Sequence, residues 1–191
     1  MAAVLLIVGA ILAGDEAALR EAFAREIQAE AAAERARAVK KLSGASQEKT
    51  ILLIAASLRD KELEVRKAAA EALEASTDGA GVAIPPLGEI LVDKKEDLGL
   101  RLACAKALVK SRYKSEVFPY ILKTISSIDS EERQFHKFGY EVTSLLDAYA
   151  GKSYGADKLT CERWEEWWTD NQSALKKDDA KAHERWKTEG K

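Results

Sequence analysis

Apolar residues along the chain recur at helical spacing. Leu19, Phe23 and Ile27 fall every four positions in a stretch, residues 15–42, that contains neither Pro nor Gly. Ala31, Ala38 and Leu42 continue the pattern, which predicts one long amphipathic helix or two with a tight break near 28–32. Gly44 supplies a C-cap and Ser46 the next N-cap. Residues 50–59 are apolar almost all round, as in a helix packed on both sides. Asp60 begins a turn into a helix at 65–76, and 77–81 (TDGAG) is a loop. A helix at 83–92 carries Pro85 and Pro86 in its first turn, where their missing N–H groups matter little. Helices at 100–111, 117–128 (with an early Pro119) and 131–149 follow, the last with Asp129 and Glu132 as a capping box. Glycines at 151 and 155 break the chain before a helix at about 158–173 and a charged tail at 174–191. Nothing reads as a strand.

The pattern repeats. VRKAAAEAL at 65–73 is echoed by LRLACAKAL at 100–108, 35 positions on, and Pro85 and Pro119 are 34 apart. Leu42, Leu73 and Leu108 mark a period of 31 to 35 residues. A unit of that length cannot bury its apolar stripe alone and must stack on a copy of itself. The expected fold is therefore all-α, an array of about four antiparallel helix pairs over residues 15–173, closed by the last helix.

These residues resemble HEAT repeats, strongly over 47–111 and more loosely over 30–150. In that family a proline opens the first helix, an Asp marks the turn, and the second helix begins Val-Arg-x-Ala-Ala. Asp60 lies five before Val65-Arg66, and Asp97 three before Leu100-Arg101. The fourth unit keeps only Arg133, after Glu132, and the first has neither turn Asp nor Val-Arg. The resemblance implies a short right-handed α-solenoid. It also implies a ladder in which Arg66 and Arg101 pair with acidic turn residues, Asp60 and Asp97 being the nearest. The stretch GKSYGAD at 151–157, with Trp164, Trp167, Trp168 and Asn171, is similar to the closing element of certain bacterial HEAT-repeat proteins, many of them exported.

Composition narrows the function classes. The 191 residues are 47% hydrophobic and 32% charged with a net charge of −2, so no global field attracts nucleic acid or an anionic membrane. Locally, residues 101–123 hold six basic side chains (Arg101, Lys106, Lys110, Arg112, Lys114, Lys123) against Glu116 alone. Cys104 sits on a small-residue stripe and Cys161 precedes the Trp cluster. Two isolated cysteines make no zinc motif, and whether they pair is open. Residues 2–13 form an uninterrupted apolar run, short of the ~20 residues a spanning helix needs. Its length suits a secretory signal ending at Ala13, although no Lys or Arg precedes it. Residues 1–14 are thus read as a signal peptide, implying export to the periplasm or cell envelope, or else as an apolar first helix of a cytoplasmic protein.

No catalytic set assembles. GKS at 151–153 lacks the Gly that a phosphate loop needs at 146, which is Leu, and it follows a helix. The histidines are His136 and His183, and His183-Glu184 alone gives too few ligands for a metal. No metal or cofactor is expected. Trp164, Trp167 and Trp168, at i, i+3 and i+4, share one face and are read as a structural cap over the open end of the array. The leading function is a non-catalytic protein–protein interaction or scaffolding module. Its outward inner-helix residues Lys67, Glu71, Lys106 and Lys110 are the candidate partner contacts, and the partner is another, unidentified protein. The alternative is a nucleic-acid-acting enzyme like the HEAT-like alkylpurine DNA glycosylases, using the basic segment with Tyr113, Phe118 and Tyr120.

Overall fold

A computed structural model of the chain describes residues 15–76, 79–128, 137–155 and 160–189. The apolar run at 2–13, the Asp129–Glu132 capping box, Arg133 and His136 lie outside these residues. Among the described residues there are nine α-helices and no strand: α1 Asp15–Glu26, α2 Ala32–Lys40, α3 Glu48–Ser57, α4 Leu63–Ala75, α5 Ile84–Val92, α6 Leu98–Leu108, α7 Lys114–Ser126, α8 Lys137–Ala150 and α9 Thr160–Glu189. The stretch 15–42 is two helices, broken where the sequence allowed. A 3₁₀ turn, Gly79–Ala83, precedes α5.

The even-numbered helices pack in succession, α2 on α4, α4 on α6 and α6 on α8. The odd-numbered ones form a second layer. There α1 touches α3, the 3₁₀ turn bridges α3 to α5, and α5 packs on α7 and α7 on α9. Between the layers lies one core, built from the residues that set the period. Leu42, Leu73 and Leu108 are all buried, together with the alanine stripes of α4 and α6 and Cys104. Small side chains let the even helices approach closely, while Ile51, Ile54, Leu87 and Leu91 fill the space from the other layer. Where α5 meets α7, a Cβ on Gly88 would lie 2.4 Å from the Tyr120 ring, so that contact needs glycine. Leu73→Ala and Leu108→Ala are each expected to destabilise by ~2–5 kcal/mol in denaturant unfolding, because both remove fully buried leucines.

Among the described residues the starts of α2, α3, α4, α5 and α7 lack a capping side chain of their own, and two of them are capped from elsewhere. Gln47 precedes α3 and Tyr113 precedes α7, and neither makes a side-chain cap. Carboxylates from elsewhere serve both. Glu16 of α1 accepts from Ser46 N (2.9 Å), Gln47 N (3.2 Å) and the Thr50 hydroxyl (2.7 Å). Asp179 of α9 accepts from Lys114 N (3.0 Å), Ser115 N (2.7 Å) and Ser115 Oγ (2.5 Å). Each carboxylate meets the orphan N–H groups and the positive end of a helix dipole. The second cap explains two departures from expectation. The closing helix continues past Ser173 to Glu189, because Asp179 and Ala182 are buried on its inner side, so most of the charged tail is structural. Capped at Lys114, α7 begins earlier than 117, which leaves Pro119 inside the helix instead of in its first turn.

Candidate binding face

The three tryptophans of the closing helix gather around the Phe118 ring of α7. Trp164 is 0% exposed and edge-on to Phe118 of α7 (5.7 Å) and to Tyr154 (4.7 Å, 81°). Trp168 stacks on Phe118 at 5.0 Å and 7°, and Trp167 tilts over the same ring at 5.0 Å. These ring contacts are with Phe118 of α7 and with Tyr154. Trp167 and Trp168 remain half-buried, and Glu165 and Glu166 point to solvent on the opposite side. The GKS segment is a helix end: Gly151 takes φ +68° after α8, Ser153 Oγ donates to Asp147, and Lys152 lies 4.7 Å over the Tyr154 ring.

The arginine ladder exists with other partners. Arg66 donates from Nη1 to the carbonyls of Asp60 (3.0 Å) and Lys61 (3.1 Å), and from Nη2 to the Glu96 carboxylate (3.2 Å). The Asp60 carboxylate instead receives Nε and Nη2 of Arg35, both at 2.9 Å. Asp97 caps α6 at Leu100 N and pairs with Lys67 at 2.8 Å. Arg101 meets no carboxylate within ion-pair distance among the described residues. Its Nε donates to Leu91 O at 2.9 Å and its guanidinium lies 4.6 Å over the Phe138 ring. Arg66 thus meets an acidic turn residue of a neighbouring unit, as expected, but it is Glu96 and not Asp60 or Asp97; Arg101 pairs with neither of those two. Arg35 and Arg66 each span carbonyls of the turn before their helix and find an acid in the following turn, whereas Arg101 does neither.

Arg35 was not legible as a rung, because Glu34 stands where Val65 and Leu100 open the later units. Its signal was the Arg-Ala-x-Ala run at 35–38. The Arg35 hydrogen bond holds the Asp60 carboxyl below the ordinary aspartate range, against the opposing effect of burial. At Glu16 burial pushes upward, and the hydrogen bonds from Ser46, Thr50 and Gln47 together bring the net shift below normal. A carboxylate lowered on folding stabilises fully above its unfolded pKa, about 3.9 for Asp, and that stability is lost as pH falls through the folded value. Asp60→Asn is accordingly expected to flatten the loss of stability below about pH 4 in acid titrations followed by circular dichroism.

The four candidate contacts separate. Lys67 is tied to Asp97, and Glu71 sits 3.5 Å from Lys40 on an exposed face. Both lie in surface ion pairs that run between successive even-numbered helices or their caps. Lys106 and Lys110 have no ion pair among the described residues and line a groove of about 670 Å³. Lys114 joins them, with its Nζ donating to Tyr149 O (2.8 Å) and lying 5.0 Å over the Tyr149 ring. Leu145 and Ala148 form the apolar wall, and Glu74 closes one side. Tyr149 is fixed by its own hydroxyl, which donates to Ser111 O at 2.8 Å. Lys114 and Tyr149 were invisible as groove residues, since α8 comes alongside α6 only through the fold.

No family model, curated protein or solved structure matches the chain. Function must rest on the geometry.

That geometry holds no group of three or more metal-binding side chains among the described residues. Among them, too, no helix is long and apolar enough to cross a membrane. Cys104 and Cys161 are both free, and burial pushes the Cys104 thiol up to about 12. Tyr113 and Phe118 are buried and Tyr120 lies against Gly88, so the basic segment's three aromatics are taken up by packing.

Proposed function

We propose that the protein is a non-catalytic interaction module, a short HEAT-like right-handed solenoid whose even-numbered helices α2, α4, α6 and α8 present the binding face. The observation that carries this reading is the groove at the α6–α8 end. There Lys106, Lys110 and Lys114 converge beside Leu145 and Tyr149, with the first two lysines unpaired among the described residues. Three cations against an apolar wall suit an acidic protein segment with one aliphatic or aromatic anchor. The charges set encounter rate and register, and the anchor supplies the buried area. The repeat period, the alanine stripes and the succession of even helices support the family reading.

The test is quantitative affinity capture from the native host with the parent chain, with Lys106→Glu/Lys110→Glu, and with a control pair on the other layer, Lys49→Glu/Lys123→Glu. A partner retained by the parent and the control but lost by the groove variant supports the assignment. Equal recovery by all three overturns it.

A further inference from the structure

We infer that the occupant of the lysine groove is a second copy of this chain, which seats the outer face of its own α9 there. The inference rests on the groove reading above and names its partner. The first half of α9, residues 160–173, carries Glu162, Glu165, Glu166 and Asp170 against Arg163 alone. Glu165, Glu166 and Asp170 are exposed, and their carboxylates have no hydrogen bond or ion pair among the described residues. The rest of the helix is built differently. There Asp178 pairs with Lys181 (3.3 Å) and Glu184 with Lys187 (3.0 Å), so those acids meet bases of their own helix. An acidic face left unmatched, on a helix that matches its charges elsewhere, complements a groove whose Lys106 and Lys110 are likewise unpaired.

The spacing agrees as well. Glu166 and Asp170 are four residues apart on one continuous helix, a step of about 6 Å along its axis. Lys106 and Lys110 are also four apart, the first on α6 and the second just beyond its end. Trp167 lies three positions before Asp170, so its half-buried ring borders the acidic face and supplies the aromatic anchor. Leu145 and Ala148 are the apolar wall that receives it. The contact is made between molecules. Within one chain α9 packs on α7, in the layer opposite α6 and α8, and among the described residues no ion pair joins the acidic face to the groove. Since the two surfaces are different patches, each copy offers one of each and copies join head to tail. Exposed charge pairs of this kind make the association weak and salt-sensitive.

The full-length protein is followed by sedimentation velocity over a concentration series, from about 0.01 M to about 1 M salt, where the Debye length falls from about 30 Å to about 3 Å. The parent is expected to form larger species with rising concentration at low salt, and to be a monomer at high salt. Lys106→Glu/Lys110→Glu and Glu166→Lys/Asp170→Lys change no buried residue, and each is expected to weaken the association about tenfold or more. An equimolar mixture of the two variants is expected to associate again, because each finds opposite charge only on the other. A variant that had merely failed to fold could not regain it. A parent that stays monomeric at low salt, an association indifferent to either reversal, or a mixture no larger than its components would overturn the inference. A monomeric parent, with a different protein captured by the parent and lost by the groove variant, would overturn it and leave the groove reading standing. A monomeric parent with equal recovery in the capture experiment would remove both.

Discussion

Trp164→Ala is expected to cost ~3–5 kcal/mol, the usual loss for a core aromatic, against a typical total of ~5–15 kcal/mol. The indole is fully buried and makes edge contacts with Phe118, Tyr154 and Trp167 at once, so no neighbour can move in to fill the space without giving up its own contact. Its Nε1 has no hydrogen-bond partner among the described residues, so the loss is one of packing and buried area alone. Denaturant unfolding measures the effect. Trp168→Ala is the comparison: that ring lies flat on Phe118 but stays half-exposed, and its removal is expected to cost less. Were the Trp helix a ligand platform with free rings, Trp164→Ala would barely change stability.

The second large effect is expected at Asp179→Ala, ~2–3 kcal/mol in the same assay. One carboxylate accepts from two backbone N–H groups and a hydroxyl at the start of α7, and removing it leaves Ser115 N without its acceptor, and Lys114 N with Arg112 O alone, at the dipole end the carboxylate had offset. Asp178→Ala, one residue away and exposed, is the control and is expected to stay within about 0.5 kcal/mol. A solvated tail would make the two substitutions indistinguishable.

The sequence announced α3 to α6 because each carries a local signal: the apolar run at 50–59, the prolines at 85 and 86, and the twin nonapeptides. It announced the Trp cap through its i, i+3, i+4 spacing. It hid what depends on distant segments meeting. Asp179 sits in a run of Lys and Asp that reads as water-facing, and only the arrival of α7 turns one of those charges inward. The groove was half-legible. Lys106 and Lys110 could be phased from the repeat, whereas Lys114 and Tyr149 enter it from helices whose placement no local pattern dictates. The ladder was read as arginines on acidic turn residues of neighbouring units, but which acid each takes, Asp60 for Arg35 and Glu96 for Arg66, is settled by turn geometry.

The two borrowed caps also impose an order on biosynthesis. Glu16 leaves the ribosome before α3 does, so α3 finds its carboxylate waiting as it is made. Asp179 emerges 65 residues after Lys114, and until it does Ser115 N lacks its carboxylate, although Lys114 N and Glu116 N already have Arg112 O and Tyr113 O. The amino-terminal half of the molecule can therefore mature vectorially as it is translated, whereas α7 gains its carboxylate cap only once Asp179 has emerged.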